Sequence, residues 1–165
     1  MPGKIFRYLA DDHTRLESLL QRATARPDRI DPEPYAAFRA GLLKHISMEE
    51  KILLPAAQRM RGGQPLGLAA KLRLDHGALA ALLVPTPTPA IVAAIRAILK
   101  AHNPIEEGPD GLYAQCEQLL GAEADQVLIQ LRTAPEVKVA PLIQTAHVLE
   151  ATRRALIKAG YALEV

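Results

Sequence analysis

The sequence predicts an all-α protein: an antiparallel up-and-down four-helix bundle carrying a C-terminal appendage of helix, short extended segment and helix. Three observations predict it. Ala, Leu, Arg, Glu and Ile dominate, while aromatic residues are only 4% and no alternating run of β-branched residues precedes residue 137. Helix breakers divide the first 121 residues into four stretches. The connections between those stretches are short, which favours antiparallel neighbours.

The first helix is expected over about 4–25, stopped by Arg26-Pro27-Asp28. The second, over about 32–60, ends before Gly62-Gly63-Gln64-Pro65, and the third spans about 65–84. Pro85-Thr86-Pro87-Thr88-Pro89 reads as a linker, after which a fourth helix occupies about 89–107 and stops at Gly108-Pro109-Asp110-Gly111. Residues 112–131 continue as helix. Ala134 to Pro141 is expected to be extended, because prolines bracket it and Val137 and Val139 alternate with charged residues. A last helix covers about 144–160 and ends at Gly160. The division is therefore a bundle domain, 1–121, and a helical extension, 122–165, which either covers one end of the bundle or meets a partner.

With 165 residues, 49% of them apolar, the chain has the size and core of one domain. Lys plus Arg (20) nearly balances Asp plus Glu (18), the formal charge is +2, and the basic residues are scattered. Nucleic acid is thus not an expected partner. Apolar stretches are broken by charge or proline well short of the ~20 residues that span a bilayer, so no membrane is expected either. The single cysteine, Cys116, cannot form an internal disulfide, and MPGKIFRYLADDH lacks the apolar region of a signal peptide. The expected location is cytoplasmic.

The most informative feature is an internal repeat. Asp12-His13-Thr14-Arg15-Leu16-Glu17-Ser18-Leu19-Leu20 and Asp75-His76-Gly77-Ala78-Leu79-Ala80-Ala81-Leu82-Leu83 share the pattern D-H-x-x-L-x-x-L-L. Each is followed one helix later by H-x-x-x-E-E, as His45 to Glu50 and as His102 to Glu107. Positions three and four apart share a helix face. Leu9, His13, Leu16 and Leu20 then form one stripe, and Leu72, His76, Leu79 and Leu83 form its counterpart. Phe38, Leu42, His45, Glu49 and Ile52 line up on the second helix, as do Ile91, Ile95, Ile98, His102 and Glu106 on the fourth. Four imidazoles and two carboxylates on apolar stripes cost several kcal/mol per uncompensated ion, and a pair of cations compensates them. Imidazole and carboxylate without thiolate suit iron, manganese or zinc.

This order of motifs resembles the hemerythrin-like (HHE cation-binding) domain family, including the extension His45-x-x-x-Glu49-Glu50-x-x-Leu53-x-Pro55 and the weaker His102-x-x-x-Glu106-Glu107 followed by Leu112-Tyr113. The resemblance covers roughly residues 5 to 120. It implies a hemerythrin-like bundle with two iron ions, a non-haem di-iron centre joined by an oxo or hydroxo bridge. It makes His13, His45, His76 and His102 terminal ligands and Glu49 and Glu106 the bridges. Under the symmetry of the repeat, His13 and His45 serve one ion and His76 and His102 the other.

Two departures separate the chain from the family's oxygen carriers. Those have a further histidine one turn from the third, where this chain has Leu72 and Ala80 around His76; they also have H-x-x-x-x-D in the last motif, a spacing that Glu107 fits. Either Glu106 or Glu107 can therefore be the second bridge, depending on whether Pro104 introduces a kink or π-type turn. Glu50 and Glu107 are otherwise read as solvated, or as hydrogen-bonding a ligand imidazole. Tyr113 is read as packing, with phenol ligation the alternative; Cys116 as a small buried hydrophobe; His147 as a surface or packing residue. The expected function is binding or sensing of O2, NO or peroxide, or handling of iron. A di-iron oxidase, peroxidase or nitrosative-damage repair enzyme is the alternative, and a metal-free helical interaction domain is the third reading.

Overall fold

The computed structural model describes residues 1–165, which form helices and connections without any strand. The helices are α1 (Lys4–Ala23), α2 (Pro32–Met48), α3 (Leu54–Met60), α4 (Ala69–Leu82), α5 (Pro89–Glu107), α6 (Leu112–Leu120), α7 (Ala124–Arg132) and α8 (Ala146–Lys158). A π-helical turn, Glu49–Leu53, joins α2 to α3.

Local chemistry sets the starts. Asp31 accepts from Glu33 N–H ahead of Pro32, Thr88 accepts from Ile91 N–H ahead of Pro89, and Thr145 accepts from Val148 N–H. The start of α1 has no cap of its own, and the Glu117 carboxylate of α6 accepts from Ile5 N–H and Phe6 N–H instead. Where continuous helix is expected over 112–131, α6 and α7 are separated by a single 3-10 turn starting at Gly121, whose φ of 49° belongs to the left-handed region. Gly41 permits the approach of α1 to α2: a Cβ there would lie 2.7 Å from Leu16 Cδ2.

The core is in two parts. One cluster holds Ile5, Leu9, Leu53, Leu72 and Leu112; the other holds Leu16, Leu20, Phe38, Leu42, Leu79, Ile95 and Ile98. Between Leu9 and Leu16 on α1 stands His13; between Leu42 and Leu53 stand His45 and Glu49; between Leu72 and Leu79 stands His76; and His102 and Glu106 follow Ile98. A polar layer is thus held between two apolar ones. The second helix runs from the second cluster to the first, and α1 and α4 run the other way.

The C-terminal residues join both clusters. Val127, Leu128 and Leu131 of α7 pack with Ile5 and Leu9, while Leu156 and Ala159 of α8 pack with the second cluster. Between them the extended stretch is tied down by Arg39 donating to Ala140 O (3.0 Å), Ile143 N–H donating to Val84 O (3.0 Å) and Thr86 N–H donating to the Gln144 side chain (3.1 Å). Leu131 is fully buried, so Leu131→Ala should lower unfolding free energy by about 2–5 kcal/mol in a denaturant titration. A change within error would mean that α7 only rests on the surface. No helix is long and apolar enough to cross a membrane.

Candidate metal centre

All six residues of the repeat face the polar layer. His13 is 9% exposed, His45, His76 and His102 are at most 3% exposed, and Glu49 and Glu106 are fully buried. Their donor atoms form two groups: His13, His45, Glu49 and Glu106, and Glu49, His76, His102 and Glu106, with the atoms of each group within 4.8 Å of one another. Both glutamates belong to both groups. His76 Nε2 lies 3.1 Å from Glu49 Oε2, His102 Nε2 lies 2.8 Å from Glu106 Oε1, and His13 Nε2 lies 3.2 Å from Glu106 Oε2.

Carboxylates stand behind each imidazole. His45 Nδ1–H donates to Asp12 Oδ2 (2.8 Å), His76 Nδ1–H to Glu50 Oε1 (2.8 Å), His102 Nδ1–H to Asp75 Oδ2 (3.1 Å) and His13 Nδ1–H to Glu107. This arrangement fixes the tautomer, raises the basicity of the ring and leaves each Nε2 pointing into the layer. The pattern crosses the two halves of the repeat: each Asp supports the histidine of its own half, whereas Glu50 and Glu107 support the histidine of the other. Asp12→Asn should therefore weaken metal affinity by ~10–100-fold in competition with a chelator. Unchanged affinity would leave Asp12 only its exposed partner Arg15.

Glu107 stays 35% exposed while Glu106 is fully buried, because α5 remains helical through Pro104 as far as Glu107. The carboxylate one helical turn after His102 is then the inward one. The π-type turn weighed for Pro104 does not form there, and one occurs in the first motif, where Leu54 N–H donates to Glu49 O across five residues. Pro55, which has no N–H to give to a residue four back, follows immediately.

Sequence reasoning missed the central part of Tyr113. Its ring packs edge-on against Phe6, as a packing role requires, but its hydroxyl donates to Glu49 Oε1 (2.7 Å) and lies 3.2 Å from both Glu106 Oε2 and His13 Nε2. Asp12 and Asp75 were also given no part, although the recurring D-H pair was their signal. Cys116 is fully buried and burial pushes its thiol up to about 12. His147 is exposed and apart from the layer.

Burial alone would depress the imidazoles. The glutamates and the carboxylates behind them outweigh it, raising His45 and His76 to about 10 and His102 to about 9. Burial would likewise raise Glu106, yet the histidines around it hold it well below the usual carboxylate range. Tyr113 rises well above its ordinary value through burial and the charges of Glu49 and Glu106. The close approaches of His76 Nε2 to Glu49 Oε2 and of His102 Nε2 to Glu106 Oε1 lack hydrogen-bond geometry, so Glu49 Oε2, Glu106 Oε1 and His76 Nε2 are buried without a hydrogen bond. Such atoms carry a large desolvation penalty unless a ligand satisfies them. Each of the two groups of imidazole nitrogens and carboxylate oxygens could hold a metal ion, and a cation would satisfy the atoms left without a hydrogen bond. The chain matches no protein-family model, no curated protein and no solved structure.

Proposed function

We propose that the chain is a hemerythrin-like non-haem di-iron protein, an antiparallel four-helix bundle that takes up O2, NO or peroxide for sensing or protection, or that handles iron itself. The observation that carries this reading is the pair of four-donor groups sharing Glu49 and Glu106. The alternating direction of the helices between two apolar clusters supports the bundle, and a donor set of imidazole and carboxylate without thiolate supports iron.

On this reading His13 and His45 would hold one ion and His76 and His102 the other, with Glu49 and Glu106 available to both. Iron bound there supplies one-electron redox chemistry and exchangeable positions for a small ligand. Asp12, Glu50, Asp75 and Glu107 keep the four rings aimed, and the apolar clusters on either side exclude bulk water. Tyr113 keeps a proton within 2.7 Å of Glu49. That buried donor favours a second reading, an oxidase- or peroxidase-type enzyme, in which the phenol would hold a proton at the centre.

No fifth histidine adjoins His76, since Leu72 and Ala80 occupy the neighbouring turns, so exchangeable positions are expected on both ions. The reduced, iron-loaded protein should be oxidised by O2, gain near-ultraviolet and visible absorption, and stay oxidised when O2 is pumped away. Added azide should then change the spectrum. Recovery of the reduced spectrum on evacuation would replace reaction by reversible carriage, and absence of any visible absorption after iron loading would remove iron from the proposal.

A further inference from the structure

A cavity of about 700 Å³ is walled by the α1–α2 connection, the first turns of α2 and α5, and Leu142 of the extended stretch. Tyr35 and Val92 line it, and each is ten residues from the histidine on its own helix, about 15 Å along the axis at the α-helical rise. The volume is within the ~300–1,000 Å³ of small-molecule sites.

The charges around this cavity are lopsided. Arg26, Arg29, Arg39 and Arg96 line it against a single acid, Asp28. Arg96 is engaged by Glu17 (2.7 Å) and Thr24 (3.0 Å). Arg39 differs, because it is only 8% exposed and its guanidinium donates to two carbonyls, Leu83 O (2.8 Å) and Ala140 O (3.0 Å), with no carboxylate beside it. A buried cation without a counter-ion is costly. Beside it Tyr35 is 1% exposed and its hydroxyl has no hydrogen-bond partner. An orphaned donor next to an uncompensated guanidinium is chemistry that suits an anion, and Ile30, Val92 and Leu142 offer apolar wall to whatever carries it.

We propose that this cavity binds a small organic carboxylate with an apolar body, its head group held by Arg39 and Tyr35 and its body lying along Ile30, Val92 and Leu142. The site draws only on residues outside the polar layer, so it stands or falls independently of the metal.

The test is displacement of 8-anilinonaphthalene-1-sulfonate fluorescence from the full chain, using decanoate, decanol and inorganic phosphate as competitors. Decanoate should displace the dye, decanol should be ~10-fold weaker or worse for lack of the charge-assisted hydrogen bonds, and phosphate should not compete in the same concentration range. Tyr35→Phe should weaken decanoate by ~10-fold and leave the melting temperature unchanged or raised, since the hydroxyl has no partner to lose. The exposed pair Arg26→Gln and Arg29→Gln, which cannot unfold the core, should weaken decanoate further at low salt. Equal competition by decanol and decanoate, competition by phosphate, failure of the dye to bind, or undiminished decanoate affinity in Tyr35→Phe would each overturn the proposal.

Discussion

His45→Ala should abolish one of the two metal positions and weaken the other, because His45 belongs to one donor group whose glutamates belong to both. Glu49→Ala should go further and empty both, since it removes a carboxylate common to the two groups. Elemental analysis after iron loading should therefore rank the proteins in the order wild type, His45→Ala, Glu49→Ala. His147→Ala should match wild type, its side chain being exposed and remote from the layer. Glu106→Ala and Glu107→Ala separate the two candidate bridges: the first should resemble Glu49→Ala, and the second should keep both ions at reduced affinity because it only releases His13 Nδ1. Equal iron in the His45→Ala and His147→Ala proteins would sink the ligand assignment.

The stability gap between metal-loaded and metal-free protein should widen as pH rises above 6.5. The metal-free fold holds His45 and His76 at about 10 and His102 at about 9, against an ordinary value of 6.5. Groups raised in this way contribute stability that is full below 6.5 and is lost as pH climbs through 9 to 10. Glu49 and Glu106 are lowered from 4.5, so their contribution is present above that value and is lost as pH falls below it. The metal-free protein should then be most stable between about pH 5 and 6.5 and weaken steadily above.

Ligation needs neutral imidazoles, so uptake of two divalent ions displaces protons and tightens as pH rises. At a thousandfold excess over the dissociation constant each site adds about 4 kcal/mol, which for a chain of this length corresponds to a rise of more than about 10 °C in melting temperature. Calorimetric melting of the two forms from pH 6 to 9 should show the gap widening with pH. Identical curves, or a gap that narrows, would contradict the coupling.

Much of the site was legible because its chemistry violates the helical pattern. A histidine or glutamate on a stripe otherwise made of Leu, Ile and Phe announces itself, and doing so twice in the same order removes chance. Glu106 and Glu107 could not be separated in this way, because Pro104 left the helical register uncertain and only the unbroken course of α5 shows which carboxylate faces inward. Asp12 and Asp75 were visible as part of D-H but ambiguous in role, since on an isolated helix they sit beside the inward face rather than on it. Their function exists only once a neighbouring helix brings His45 or His102 to them. Tyr113 was harder still. It lies beyond the Gly108–Gly111 turn, on a helix with no repeat partner, and no spacing rule carries its hydroxyl back to Glu49. The course of the tail was equally illegible, because the apolar residues of α7 and α8 reveal that they pack but not which end of the layer receives them.

The proposed centre shares Glu49 and Glu106 between two ions. Anaerobic titration of the metal-free protein with ferrous ion, followed by the release of protons and by calorimetry, tests it most directly. Two ions per chain should be taken up, with release at neutral pH of the protons that His45, His76 and His102 hold in the metal-free fold, and Glu49→Ala should lose both binding steps together. A single ion per chain, or two whose uptake survives Glu49→Ala, would contradict a shared centre.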